Sequence, residues 1–255
     1  MSRTGLSRRI SDLFSRLSTA LKARGITHVL RSLAREAYPQ LRDHAAFFYH
    51  RTFKSNSTFL FRGKPQTYFY HMYGRTWRNE RCVEVPIVWE LVKKYREKSI
   101  LEVGHVLSNY FSFEHDIVDK YEKVDGVINA DIVDFNPPKK YELIVGISTL
   151  EHIGLYENPQ RPDKVLEAFE NLKSLLAPSG RILVTLPMGF NPVLDKYLDT
   201  REIGFTEAEF LKRISLDRWT QVSWEEARAT KYNFPFPNAN ALVIGMITQD
   251  GAPIA

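Results

Sequence analysis

The sequence predicts an α/β protein: a mostly parallel, doubly wound sheet with an N-terminal basic helical and aromatic extension. Three observations predict it. From residue 80 onward short apolar runs alternate with helical stripes, the pattern of a parallel sheet with helices on both faces. Acidic residues recur just after successive strand runs, where ligands gather in such sheets. Charge is also divided along the chain. Residues 1–64 hold 13 Lys+Arg against three acids, a balance of +10, whereas the other 191 residues balance at −5. The net +5 therefore belongs to a basic arm on a mildly acidic body.

Composition narrows the class further. With 255 residues, 44% hydrophobic and 25% charged, the chain suits one large domain or a domain with an added segment, and a disordered chain is excluded. A lone Cys82 excludes an internal disulfide framework and a multi-cysteine metal site. No metal site is predicted, and a reducing, cytoplasmic setting is expected. No run reaches the roughly 18 apolar residues of a membrane span.

The elements follow in order. Residues 1–45 form the expected arm. Leu6, Ile10, Leu13, Phe14, Leu17 and Leu21 recur at steps of three and four, on one helical face, with Arg8, Arg9, Arg16 and Lys22 on others and Gly25 as a stop. A second amphipathic run, Ile26, Val29, Leu30, Leu33, Ala34 and Ala37, closes at Pro39. Three readings stay open: residues 1–38 lying on an anionic membrane surface, an Arg- and Ser-rich transit peptide over 1–25, or a helical pair packed on the body or on a second subunit. Nucleic acid is disfavoured, because no basic stretch continues into a recognised binding motif.

Residues 46–79 form an aromatic cap segment. Phe59–Phe61 and Tyr68–Tyr70 read as a hairpin joined by Arg62-Gly-Lys-Pro65. Its Phe residues are expected to pack, and its Tyr residues could also wall a sugar or aromatic substrate.

The body spans 80–250. Val83, Ile87, Leu91 and Val92 mark a helix that starts beyond Glu80, since Pro86 falls in its first turns. Strands are expected over 99–103, 115–119, 127–131, 141–148, 181–186 and 241–248. A helix over 163–177 is broken by Pro178-Ser-Gly180. Arg213, Arg218 and Trp219 lie in an insertion before the last strand that could cover a site.

In their order, Ile100-Leu-Glu-Val-Gly104, Asp119, Tyr141-Glu-Leu-Ile-Val before Leu150-Glu-His152, and Leu175-Leu-Ala-Pro-Ser-Gly-Arg-Ile-Leu-Val-Thr-Leu-Pro187 stand as a set. Over residues 98–248 this set resembles a class I, Rossmann-like S-adenosylmethionine-dependent methyltransferase. The resemblance implies the seven-stranded-type sheet of that family and S-adenosylmethionine as cofactor. Gly104 would let the backbone approach the methionine moiety. Glu102 would orient its loop, Asp119 would accept from both ribose hydroxyls, and Asp131 with the Ile132 backbone would meet the adenine edge. Ile147 and Ser148 would line the pocket, and Arg81 would hold the cofactor carboxylate. The loop departs from the family's glycine-rich pattern, so His105 and Asn109 are expected to take over contacts. Ten residues between Gly104 and His115, and twelve positions from Asp119 to Asp131, leave the first two helices short or absent. The competing account is that these acids cap helices and close turns.

Methyl transfer to a hydroxyl needs a base, and His152, following strand four, is the candidate, with Glu151 orienting its ring or binding a cation. Asn191 and Asp195 after strand five, with Arg213, are the candidate acceptor-binding residues, and suit a hydroxyl-rich small molecule or glycan. An RNA or protein methyltransferase and a non-catalytic binding relative are the alternatives.

Overall fold

Where the chain alternates short apolar runs with helices, the structure builds one eight-stranded sheet. The computed structural model describes residues 26–249. The amphipathic run Leu6–Leu21 and its Gly25 stop lie outside the described residues. The chain divides into two compact units between Tyr49 and His50, and the sheet belongs to the second.

Helix α1 (Ile26–Phe53) continues through Pro39, where the sequence predicts a stop. A helical proline removes one hydrogen bond, to the carbonyl four residues back. The helix-forming run that follows, with Leu41, Ala45 and Ala46, resumes the ladder, so Phe47, Phe48, Tyr49 and Phe53 lie on this helix instead of in a cap.

The hairpin is tighter than predicted. Strands β1 (Thr58–Phe61) and β2 (Lys64–Thr67) pair Phe61 with Lys64 across a two-residue turn. Arg62 and Gly63 both take positive φ, 51° and 71°, the primed turn whose twist matches paired strands. Tyr68–Tyr70 therefore leaves the hairpin and packs on the body. Helix α2 (Arg81–Lys94) begins just beyond Glu80 and contains Pro86. That proline has no N–H for the Cys82 carbonyl, and the Phe69 amide supplies one at 2.9 Å. Tyr68, 7% exposed, accepts from the Trp219 amide at 2.8 Å. These two bonds make packing the role of Phe69 and Tyr68.

The sheet contains β3 (Ile100–Val103), β4 (Asp116–Val118), β5 (Val127–Ile128), β6 (Tyr141–Ile147), β7 (Leu176–Pro187), β8 (Glu207–Ser215), β9 (Arg218–Val222) and β10 (Ala241–Thr248), in the order β5-β4-β3-β6-β7-β10-β8-β9. The first five in that order are parallel; β10, β8 and β9 join antiparallel. The residues expected to form an inserted cover are thus the β8–β9 hairpin of the sheet itself. Their alternating charged positions hide a strand signal, and the antiparallel edge tolerates them because one face meets water. Conversely β6 and β10, covered on both faces, are almost wholly buried.

Helix α3 (Lys164–Ser174) is shorter than the predicted 163–177, and Pro178-Ser-Gly180 does not separate helix from strand. Instead β7 starts at Leu176, and the pairing shifts from Tyr141–Leu176 to Leu143–Arg181, leaving Ala177–Gly180 as a bulge. Helices α4 (Pro192–Asp199) and α5 (Trp224–Arg228) complete the described elements. No helix forms between Asp119 and Asp131, and only a 3-10 turn, Leu107–Asn109, forms between β3 and β4. The core lies on both sheet faces, with Phe169 and Leu172 of α3 in one cluster and Val83, Val85 and Val88 of α2 in the other. Chain direction reverses beside β3: β4 and β5 lie on one side, β6 and β7 on the other. A ligand crevice belongs at such a switch point, beyond the carboxyl ends of the strands.

Candidate active site

A cavity of about 390 Å³ lies there. Val103, Gly104 and His105 of the loop after β3 line it, as do Val118, Asp119 and Lys120 after β4. Ala130, Asp131 and Ile132 follow β5, and Ser148, Thr149, His152, Ile153 and Tyr156 follow β6. Arg81 enters from the start of α2. Of the predicted cofactor residues, the structure brings Arg81, Gly104, His105, Asp119, Asp131, Ile132 and Ser148 to one wall.

The glycine-poor loop is held by Glu102. This carboxylate is 1% exposed; Oε1 accepts the Val106 (2.7 Å) and Leu107 amides, and Oε2 lies 2.8 Å from His115 Nε2. Glu102 orients the loop as expected, but it does not line the cavity. His115, whose other ring nitrogen meets the Phe113 carbonyl, is the part sequence reasoning missed. Asn109 also stands behind the wall, donating to the His105 carbonyl at 2.7 Å, so it braces His105 and does not reach the cavity. Gly104 has φ 84°, and a Cβ there would collide with Thr149 Oγ1. The glycine makes room for Thr149, not directly for a ligand.

Asp119 lines the cavity from the turn after β4. Its Oδ1 accepts the Tyr121 and Glu122 amides, both at 2.8 Å, which fixes the carboxylate and leaves Oδ2 for a ligand. Asp131 differs. Oδ2 meets Lys120 Nζ at 2.8 Å and Lys164 Nζ at 2.6 Å, and Oδ1 accepts the Val133 amide at 3.2 Å. Burial opposes its charge, but the two lysines prevail and hold its pKa down at about 2. Three of its roughly four lone-pair sites have protein donors.

Beneath the cavity sits a buried acidic group that sequence reasoning also missed. Glu84, fully buried, accepts at Oε1 from the Ser148 and Thr185 (2.7 Å) hydroxyls and pairs at Oε2 with Arg81 Nη1 at 2.8 Å. Arg81 Nη1 also donates to the Ile147 carbonyl at 2.9 Å; Ile147 itself is core and does not line the cavity. Burial works against the Arg81 charge, but Glu84, Glu80 and Glu151 outweigh it and raise its pKa. Ser148 adopts a left-handed backbone, φ 39°, at the strand end.

The predicted catalytic pair behaves unequally. His152 lines the cavity, with Nδ1 3.0 Å from the Tyr156 hydroxyl and its ring edge-on to Phe190. Burial, then the nearby Arg81 charge, lowers its pKa, so the imidazole is neutral near pH 7. Glu151 does not orient it: Oε1 is 3.6 Å from Nε2, too far for a hydrogen bond. Glu151 is 1% exposed, its Oε2 has no partner, and burial pushes its carboxyl well above the usual range. Among the described residues no three His, Cys, Asp or Glu side chains group as metal ligands.

The predicted acceptor residues lie off the cavity wall. Asn191 is buried: Oδ1 caps α4 through the Val193 and Leu194 amides, and Nδ2 donates to the Glu151 carbonyl at 3.0 Å. It therefore fixes the turn that carries His152. Asp195 accepts the Gly189 amide with both oxygens. Arg213, 4% exposed, donates to the carbonyls of Pro237, Arg78 and Leu216 from β8, three strands from β6 in the sheet order. These polar groups satisfy backbone instead of a ligand. Rings stand nearer the cavity: Phe190 packs edge-on to both His152 (4.7 Å) and Tyr232 (5.0 Å).

No protein-family profile matches the chain, and no curated protein matches it. Solved structures do. The N-methyltransferase NodS from Bradyrhizobium japonicum, in complex with S-adenosyl-L-homocysteine, is 12% identical with a TM-score of 0.40, covering 66% of this chain and 90% of its own. A SAM-dependent methyltransferase from Archaeoglobus fulgidus is 14% identical, TM-score 0.42, over 69% of this chain and 98% of its own. A didemethyltoxoflavin N1-methyltransferase from Burkholderia thailandensis is 14% identical, TM-score 0.42, over 81% and 89%. All three TM-scores are below 0.5, and these likenesses assign the chain no activity. The chain itself has a Rossmann-like α/β sheet whose strand order reverses at β3, an antiparallel β10 beside β7, and a cavity at the switch point.

Proposed function

We propose that the protein is a methyltransferase that uses S-adenosylmethionine to methylate a hydroxyl of a small molecule or sugar. The observation that carries the reading is the Asp119 carboxylate, which lines the cavity and is fixed by two amides through one oxygen. The residues suit the cofactor. A cavity of about 390 Å³ is in the range for a nucleoside-sized ligand. Val103, Val118, Ala130, Ile132 and Ile153 give it an apolar side for a base. Asp119 would hold the ribose and Arg81 the carboxylate end.

S-adenosylmethionine, when bound, supplies an electrophilic methyl group. The chain's own part is to align an acceptor, exclude water and take up a proton. His152 is the group that takes the proton. It is neutral near pH 7, lines the cavity, and is held by Tyr156 and the Asn191-braced turn. The acceptor side carries rings, Tyr156, Phe190 and Tyr232, suited to the face of a ring-shaped acceptor.

The test is formation of S-adenosylhomocysteine from S-adenosylmethionine over a panel of hydroxyl-bearing glycosides and phenols. Turnover with at least one acceptor is expected, and His152→Ala should lower it by about 10²–10⁴-fold, the usual worth of a general base. A His152→Ala variant with full turnover would place the base elsewhere. Tight cofactor binding with no turnover on any acceptor would favour a non-catalytic binding protein.

A further inference from the structure

Three loops bound the cavity on this side: those after β4 and β5, which lack a crossover helix, and the one after β6, which leads into α3. What ties them together is a ring of four alternating charges. Lys120 Nζ meets Asp131 Oδ2 at 2.8 Å and Glu157 Oε1 at 2.6 Å. Lys164 Nζ meets the same two oxygens, each at 2.6 Å. Lys120 follows β4, Asp131 follows β5, Glu157 lies in the loop after β6, and Lys164 opens α3. Each residue thus comes from a different segment, and Lys120, Asp131 and Glu157 all face the cavity. The lysine of α3 is the most enclosed, with 9% of its side chain exposed, against 15%, 19% and 37% for Asp131, Glu157 and Lys120.

We propose that this four-charge clasp is the positioning element for the adenosine end of the cofactor, holding the 149–163 loop against the cavity in place of a direct Asp131 contact. Asp131 is held in the clasp at some cost to any direct contact. Oδ2 is taken by both lysines and Oδ1 by the Val133 amide, and turning the carboxylate toward an adenine amine would leave two lysines facing Glu157 alone. The neighbouring Ile132 is held independently, because Asn171 Nδ2 donates to its carbonyl at 2.6 Å. The clasp and Asn171 together fix the β5 turn from both sides of Ile132. An exposed pair would contribute little. Here each ion has two counter-charges, and three of the four side chains are mostly covered, so removing one corner leaves enclosed charges short of partners.

The proposal rests on the cofactor reading for one of its two measurements only. The first is hydrogen exchange of the ligand-free protein. Lys164→Met should raise the exchange of amides in residues 150–163 about tenfold or more, while exchange in β7 and β10 stays unchanged. The second is calorimetry with S-adenosylhomocysteine: the same variant should bind about tenfold more weakly, a loss of about 1.4 kcal/mol. Should Lys164→Met fail to fold, Glu157→Gln removes the opposite corner and serves the same two measurements. Loop exchange unchanged from the wild type would overturn the clasp. So would faster exchange with undiminished S-adenosylhomocysteine affinity. A wild-type protein that binds no S-adenosylhomocysteine would sink the cofactor reading instead, and the exchange result would still decide whether the clasp holds the loop.

Discussion

Glu151 and His152 are adjacent in sequence and opposite in chemistry. His152 keeps one edge at the cavity, so burial and Arg81 lower its pKa and leave it neutral. If it is the base, kcat/KM should fall on the acid side with a midpoint below pH 6.5, since protonation removes the acceptor lone pair. A pH–rate profile whose acid limb survives in His152→Gln would contradict this. Glu151 points into the protein with an unpartnered oxygen. Its folded-state pKa is raised, so the native state holds a proton that the unfolded chain releases between the ordinary carboxylate value and the raised one. Stability from this group is therefore full at low pH and declines as pH rises through that window. Glu151→Gln should stabilise the protein at pH 8 and change little at pH 4, read by urea unfolding at both. Destabilisation at pH 8 would mean that an ionised Glu151 has a partner.

At the scale of elements, the loop after β3 shows what sequence spacing can and cannot carry. Gly104 and Asp119 are legible because a strand-end glycine and a strand-end acid follow local rules. The compressed spacing also announces that two crossover helices are lost. The brace is not legible: Glu102 reaches His115, thirteen positions on, and Glu84 reaches Ser148 and Thr185, 64 and 101 positions on. Such pairs are set by sheet order, which no local pattern encodes. The same reason makes Asn191, Asp195 and Arg213 backbone partners instead of the expected ligands. The β8–β9 hairpin escapes a sequence reading because half its side chains face solvent and dilute the apolar run. Gly104→Ala tests the loop directly. Its φ of 84° and the Thr149 side chain, which occupies the space a Cβ would need, make alanine strained. A loss of about 1–3 kcal/mol in urea unfolding is expected, and Gly104→Ala paired with Thr149→Ala, which removes the colliding Oγ1, should recover part of it. Equal stability of wild type and Gly104→Ala would show that the loop is free to relax.

Over the whole molecule, the charge division has become a division of labour. The acidic body holds the cavity, and several of its acids are accounted for: Glu102 and Glu84 brace, Asp131 and Glu157 clasp, and Asp119 lines the cavity. Among the described residues no helix is long and apolar enough to cross a membrane. On α1, Tyr38, Leu41 and Phe48 are each more than 60% exposed beside Arg35 and Arg42, which keeps the surface-binding proposal for the basic arm open to liposome flotation. The account stands or falls, however, on the cavity. Titration calorimetry of S-adenosylmethionine into the wild type and Asp119→Ala tests it most directly. Binding by the wild type, weakened about 100-fold in the variant by loss of charge-assisted hydrogen bonds to the ribose, is the predicted result. No heat of binding to the folded wild type, or equal affinity in the two proteins, would contradict it.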